Sequence, residues 1–321
     1  MLTAVPTRRL RERPSLEMYV GGAESNVACG LAHLGHSVEW LSRVGDDPLG
    51  EGIVDFLESR GVGTTHVTRD PARQTGVYFK DSADQQTTVY YYRSGSAAAA
   101  MSRSNVAAHS LDGVRLLHLS GITPALSSSC DDLMQSLLVE RRSAAQTVSF
   151  DVNYRPGLWP VARAAPRLRE LAGAADVVVV GRDEAEALWG TRTPEAVRDL
   201  FPDLPQLVVK DNEVGATCFS AEESSFQPAL RVQVIEPVGA GDAFAAGFLS
   251  GLLRGLPVDR RLRNGHVLAA LTLQHFSDLP TLPEPQHIDS WSQFKGVEWN
   301  ELDLDHPTAP IQSSASKGLS R

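Results

Sequence analysis

Residues 236–253 read EPVGAGDAFAAGFLSGLL. Three small residues, Gly239, Ala240 and Gly241, lead into an aspartate, Asp242. An uncharged run of alanines, glycines, phenylalanines and leucines with one serine follows, as far as Arg254. That run is shorter than the roughly 18–20 apolar residues that cross a membrane. It reads instead as a helix packed inside a protein. The first N–H groups of a helix have no partner within it, and the helix dipole favours negative charge there. Small residues let an anion approach those amides closely. Asp242 at the helix start is then either a cap or a carboxylate held beside a bound anion, and the stretch alone leaves both readings open. It is not a dinucleotide loop, since no GxGxxG follows a strand, and no GK[ST] makes it a Walker P-loop.

Outward from this stretch, strand-like and helix-like segments alternate. SVEWLSRVG (37–45) predicts a strand and a turn. DPLGEGIVDFLESRGV (47–62) predicts a helix with Leu49, Ile53, Phe56 and Leu57 on one face. RLLHLSG (115–121), QTVSFDVN (146–153), AADVVVVG (174–181), QLVVKD (206–211) and GATCFSA (215–221) read as strands. AADVVVVG is apolar enough to be buried on both faces. Helices are expected at 129–142, 183–190, 240–254 and 258–276. This β-α order implies an α/β fold with a mainly parallel sheet and helices on both faces. TGVYFK and QTTVYYYR break the rhythm and predict a hairpin with a small sheet of its own. We expect one domain over 1–305, with segments near 15–22 and 74–95 forming that small sheet. The chain turns polar from about Trp291, and 306–321 reads as a disordered tail.

The 321 residues carry a formal charge of −9, with 42% hydrophobic and 21% charged residues. A net acidic chain is a poor partner for nucleic acid. The arginines of MLTAVPTRRLRERP are followed by no apolar stretch, so no secretory signal is read. Cys29, Cys130 and Cys218 stand far apart, which speaks against a metal or redox motif and for a reducing cytoplasm.

Two further segments carry polar groups at positions suited to a ligand. GGAESNVACGLAHLG (21–35) has a glycine pair, Gly21 and Gly22, before a helix, with Asn26 near its start. FDVNYRPGLW (150–159) sets Asn153 and Arg155 just past a strand end, where α/β sheets bind ligands. Together with GAGDAF these segments resemble the signatures of the ribokinase (PfkB) family of carbohydrate kinases, over about residues 21–283. Here Glu236 and Pro237 stand where that family usually has Asp and Thr. The resemblance implies a ribokinase-like three-layer α/β/α fold with a small β lid, ATP and Mg²⁺ as cosubstrate and cofactor, and Asp242 as catalytic base. It implies an anion hole at Gly239–Gly241. The family's N-x-x-E motif appears as GRDE, so Glu184 is kept as the magnesium residue while Gly181 replaces the asparagine.

Several blocks resemble the 2-dehydro-3-deoxygluconate kinases within that family: YYR, DVNYRPGLW, GRDEAE and PVGAGDAFAAGF. The resemblance implies that Tyr91, Arg93 and Arg155 contact an acid sugar, with Tyr78 and Asp278 beside it. On a strand Tyr91 and Arg93 share a face, and arginine grips a carboxylate in two-pronged fashion. On the nucleotide side the resemblance implies Asn153, Glu184, the segment from Lys210 to Gly215, and Asn264; Asn212 stands where a glycine is usual. A kinase of fructose or ribose is the competing expectation, and a catalytically weak sugar-binding protein the other. The lid of such kinases implies a homodimer or higher oligomer.

The family opens with an apolar strand ending in an acid, ahead of where this chain starts. The expectation is therefore a gap in the sheet at that strand's place.

Overall fold

A computed structural model of the chain describes residues 2–4, 9–83, 86–106, 111–140, 146–221, 223–302 and 304; the predicted tail 306–321 lies outside them. Strands β1 to β14 are Leu2–Ala4, Leu16–Met18, Val38–Glu39, Ser42–Gly45, Val62–Gly63, Val67–Asp70, Val77–Ala83, Gln86–Tyr92, Leu116–Ser120, Thr147–Asp151, Val177–Gly181, Gln206–Asp211, Gly215–Ser220 and Ser224–Pro228. Helices α1 to α11 are Ala23–His33, Pro48–Ser59, Thr123–Leu126, Ser128–Met134, Val161–Gly173, Arg182–Trp189, Pro194–Leu200, Ala240–Leu253, Val258–Leu273, Pro285–Trp291 and Val297–Asn300.

The main sheet runs β9-β10-β11-β12-β13-β14. Its first four strands are parallel, and β13 and β14 close it antiparallel. Strand β11 shows why. All five of its residues are buried, and alternate valines serve opposite faces. Val178 and Val180 pack with Leu168, Leu171, Leu188 and Phe201 of the α5–α7 layer. Val177 and Val179 pack with Phe248, Leu249 and Leu268 of the α8–α9 layer. Helices α1 and α8 approach closely because Gly30 lacks a side chain: a Cβ there would lie 2.6 Å from that of Ala246.

Some expectations are corrected. The segment 37–45 forms two short strands, which pair in parallel with β5 and β6 as separate two-stranded sheets. Of the expected face of α2, Leu57 is buried and Ile53 and Phe56 pack against the same cluster, while Leu49 is exposed and Gly50 and Val54 are buried beside them. The region after Trp291 is not merely polar. Trp291, Trp299 and Leu304 close the core under α9, and the Trp299 indole N–H donates to the Pro228 carbonyl.

The expected hairpin β7–β8 belongs to a four-stranded sheet, β2-β1-β7-β8, and β1 is an added strand that local pattern did not signal. In its register Tyr78 faces Tyr91 and Phe79 faces Tyr90. Alternation puts Tyr78, Lys80 and Tyr91 on one face. Tyr90 and Tyr92 lie on the other, where they are exposed, as are Leu16 and Met18 on β2. The main sheet stops at β9, and among the described residues no strand pairs with its outer edge. A cleft of about 730 Å³ separates β9 from β3 and β4 and runs on to the inner face of the small sheet.

Candidate active site

Asp242 lies in the first turn of α8, 9% exposed. Its carboxylate accepts a hydrogen bond from Asn26 Nδ2 of α1 at 2.8 Å, and one from Asn153 Nδ2, just past β10, at 3.4 Å. Three elements therefore meet on one carboxylate. Asn153 has φ 41°, a left-handed backbone that asparagine tolerates better than most residues. The Oδ1 atoms of both asparagines are buried without a partner. Burial pushes the Asp242 carboxyl up to about 7, aided by Asp151 and Asp278 and opposed by Asn26 and Arg155.

The turn before α8 needs its glycines. Gly239 has φ 92°, and a Cβ on it would lie 2.9 Å from Cα and Cβ of Asp278. A Cβ on Gly241 would lie 3.2 Å from Lys210 Nζ. A lysine thus stands over the open end of the helix.

Lys210 also donates to Asp151 Oδ2 at 3.3 Å. Burial would lower the Lys210 ammonium, but Asp151, Glu184 and Asp242 hold it above its ordinary value. Glu184 is pushed up by burial and then by Asp151, against Lys210, Arg155 and the Gly181 N–H. One Glu184 oxygen accepts from that N–H at 3.0 Å, the other from Arg155 Nη1 at 3.3 Å. Among the described residues no cluster of three or more His, Cys, Asp or Glu could hold a metal. A magnesium ion bound largely through substrate phosphates needs only one or two protein carboxylates. The neighbouring acids Asp151 and Glu184 fit that need.

Across the cleft stand the groups of the small sheet. Gly21 has no side chain where one would strike the Tyr78 hydroxyl. Gly21, Gly22, Asn26, Tyr78, Tyr91, Arg93, Arg155, Asp242 and Asp278 all line the same cleft. The Arg93 guanidinium sits 4.4 Å over the Tyr91 ring, and its Nε and Nη2 are buried without a hydrogen-bond partner. Burial lowers the Arg93 pKa, so its charge is kept at a cost. The Tyr78 hydroxyl donates to Asp278 Oδ2 at 3.0 Å.

None of the expected nucleotide-side residues is among those lining this cleft: Asn153, Glu184 and Lys210 lie behind it, against Asp242, Arg155 and Asp151, and Gly215 and Asn264 have places of their own. Gly215 starts β13 with φ 146°, opposite Asp211 and Pro228, in a place the hairpin itself requires. Asn264 is buried in α9, where its backbone packs on Gly247. Sequence reading passed over Asp151 and Lys80. Lys80 is fully buried and bonded to Asp278 at 2.6 Å. Strand parity with Tyr78 was the signal for it.

A model of the pfkB family of carbohydrate kinases matches residues 2–285. With the α/β fold and this cleft, that makes the chain a carbohydrate kinase. It belongs to the pfkB family. The 2-dehydro-3-deoxygluconokinase of Bacillus subtilis (strain 168) is 35% identical over 288 residues, 88% of this chain and 89% of the relative. The enzyme of that name from Thermoproteus tenax is 34% identical over 295 residues, 90% of each. The solved structure of a PfkB protein from Polaromonas sp. JS666 has a TM-score of 0.79 at 34% identity, covering 87% of this chain and 93% of that one.

The buried acid has a consequence for stability. Its pKa is near 7 in the fold against an ordinary 3.8. The folded state therefore binds more protons than the unfolded one between those values, and stability falls as pH rises through that window. Asp242→Asn removes the titration. The melting temperature of the variant relative to the parent is expected to climb from pH 4 to pH 7 and then level off, as read by scanning fluorimetry across a pH series.

Proposed function

We propose that the chain transfers the γ-phosphoryl group of ATP to a hydroxyl of a sugar acid, with 2-dehydro-3-deoxy-D-gluconate, phosphorylated at its 6-hydroxyl, as the acceptor. The observation that carries this reading is Arg93. A guanidinium with two buried, unpaired nitrogens on the wall of the cleft calls for an anionic partner. A neutral sugar would leave it unsatisfied. The kinase names of the curated relatives support the same acceptor.

In this reading the acid end of the sugar lies against Arg93, Tyr91 and Arg155, and Gly21, Gly22 and Asn26 form its floor. The reacting hydroxyl meets Asp242. The carboxylate takes the hydroxyl proton, the oxygen attacks the γ-phosphorus in line, and the bond to the ADP oxygen breaks. A base with a pKa near neutrality is well matched to that task. The amides of Gly239–Gly241 and the Lys210 ammonium balance the charge on the transferred group. Glu184 and Asp151 would hold magnesium, which supplies charge neutralisation at the phosphates. Asn153, Lys210 and the strand end up to Gly215, with Asn264 behind them, form the nucleotide side. The small sheet serves as a lid that excludes water. The exposed Leu16, Met18, Tyr90 and Tyr92 on its outer face fit a second copy of the chain. A cytoplasmic setting suits the ATP requirement and the three free, buried cysteines.

ADP release with 2-dehydro-3-deoxygluconate, fructose and ribose in parallel tests the acceptor. Strong preference for the acid is expected, and equal or better turnover of a neutral sugar would refute the reading. Arg93→Ala is expected to raise KM for the acid about 30- to 160-fold, as for loss of a charged hydrogen bond of about 2–3 kcal/mol. Turnover of neutral sugars should stay within about threefold.

The base assignment has its own check. With the carboxylate required in ionised form, kcat/KM should rise about tenfold per unit below pH 7 and flatten above it. Asp242→Asn should lose at least about 10³-fold in kcat. A variant that keeps near-parent turnover, or a flat profile from pH 5 to 8, would show that another group is the base.

The lid pairing predicts that Tyr92→Glu, on the exposed outer face, shifts the chain toward monomer in sedimentation velocity. An unchanged distribution would mean that the copies meet elsewhere or not at all.

A further inference from the structure

Lysine is almost never fully buried unless it is paired, and Lys80 has no exposed surface. Its ammonium lies 2.6 Å from Asp278 Oδ1 and 4.0 Å from Glu236 Oε2, both carboxylates being buried as well. Each acid is tied to the turn before α8. Glu236 Oε1 accepts from the Val238 N–H at 3.2 Å, so this side chain is hooked to its own turn. Asp278 is the residue against which Gly239 packs with no room for a Cβ. Lys80 itself sits on β7, two residues from Tyr78 on the same face. The Tyr78 hydroxyl bonds the second oxygen of Asp278. One cation thus joins three separate pieces of chain: the inner face of the small sheet, the 236–239 turn and the 276–280 segment. Its loss would take the counter-charge from two buried carboxylates. The turn, held in place by both acids, would be free to shift.

We propose that Lys80 is a positioning residue for phosphoryl transfer: its buried ammonium, between Asp278 and Glu236, sets the Gly239–Gly241 turn relative to the sheet that carries the sugar contacts. It touches neither substrate. It acts by holding the turn, so the effect falls on the rate of transfer more than on capture of either ligand. The inference rests on the functional reading above for the role of the turn, but not for the identity of the sugar.

The test uses Lys80→Met, which keeps the volume and loses the charge, and Lys80→Ala, which opens a space for a small amine. Each is assayed with whichever sugar the parent turns over fastest, so a wrong acceptor sinks the acid-sugar reading without touching this one. Both variants are expected to lose about 100-fold in kcat with KM for sugar and ATP within about fivefold. n-Propylammonium is expected to restore Lys80→Ala at least tenfold. It should leave Lys80→Met unchanged, and n-butanol should restore neither. Lys80→Met with kcat within threefold of the parent would overturn the proposal, as would a Lys80→Ala chain indifferent to the amine. Should those two chains fail to fold, Glu236→Gln keeps the Lys80–Asp278 pair and removes the charge that Lys80 meets on the turn. It is expected to lower kcat about tenfold and to speed amide hydrogen exchange over 236–241. Unchanged exchange and unchanged kcat there would equally refute it.

Discussion

The pocket depends on keeping one carboxylate out of water while leaving it able to react. Asp242 is nine-tenths buried, and its contacts are two asparagine amides rather than a cation in direct contact. A salt bridge would have held it ionised and made it a weak base. Neutral donors steer the carboxylate without quenching its basicity. Arg155 and Lys210 stand further off, and Arg155 spends one nitrogen on Glu184. The asparagines come from α1 and from the end of β10, so the α1–α8 packing at Gly30 and Ala246 bears directly on the orientation of the acid.

The parts of this arrangement that are local in sequence were legible there. Small residues ahead of an apolar run announce a helix start open to an anion, and the valines of β11 announce a strand buried on both faces. Tyr91 and Arg93 could be placed on one face by alternation alone. What escaped is what depends on contacts distant in sequence. Lys80 looks like any strand lysine until Asp278, about two hundred positions away, is brought against it. Trp299 looks like part of a polar tail until the Pro228 carbonyl meets its indole. Leu49 fits the helical stripe of α2 that Ile53, Phe56 and Leu57 follow into the core, yet in the first turn it is Gly50 that is buried and Leu49 is left exposed. Segment 224–228 carries serine, phenylalanine and glutamine, a composition with no strand signal of its own; the open edge of β13 makes it a strand.

The two faces of the small sheet divide its labour by parity. Tyr78 and Tyr91 point inward and reach the cleft, with Lys80 buried beside them, while Tyr90 and Tyr92 point outward and are exposed. A one-residue slip of β8 against β7 would exchange the two sets and destroy both at once. The aromatic contacts of Tyr78 with Tyr91, and of Phe79 with Tyr92, resist that slip.

The edge of β9, which no strand among the described residues covers, gives the molecule an uneven interior. Strands β10 to β12 are paired on both sides and covered on both faces, so their amides can open only when most of the domain does. The outward-pointing amides of β9 look into a cleft that admits water. Isotope exchange should therefore run as a gradient across the sheet, fastest at β9 and slowest at β11. The first cooperative opening would begin on the side nearest the sugar pocket, and the nucleotide side would be the last part to lose its shape.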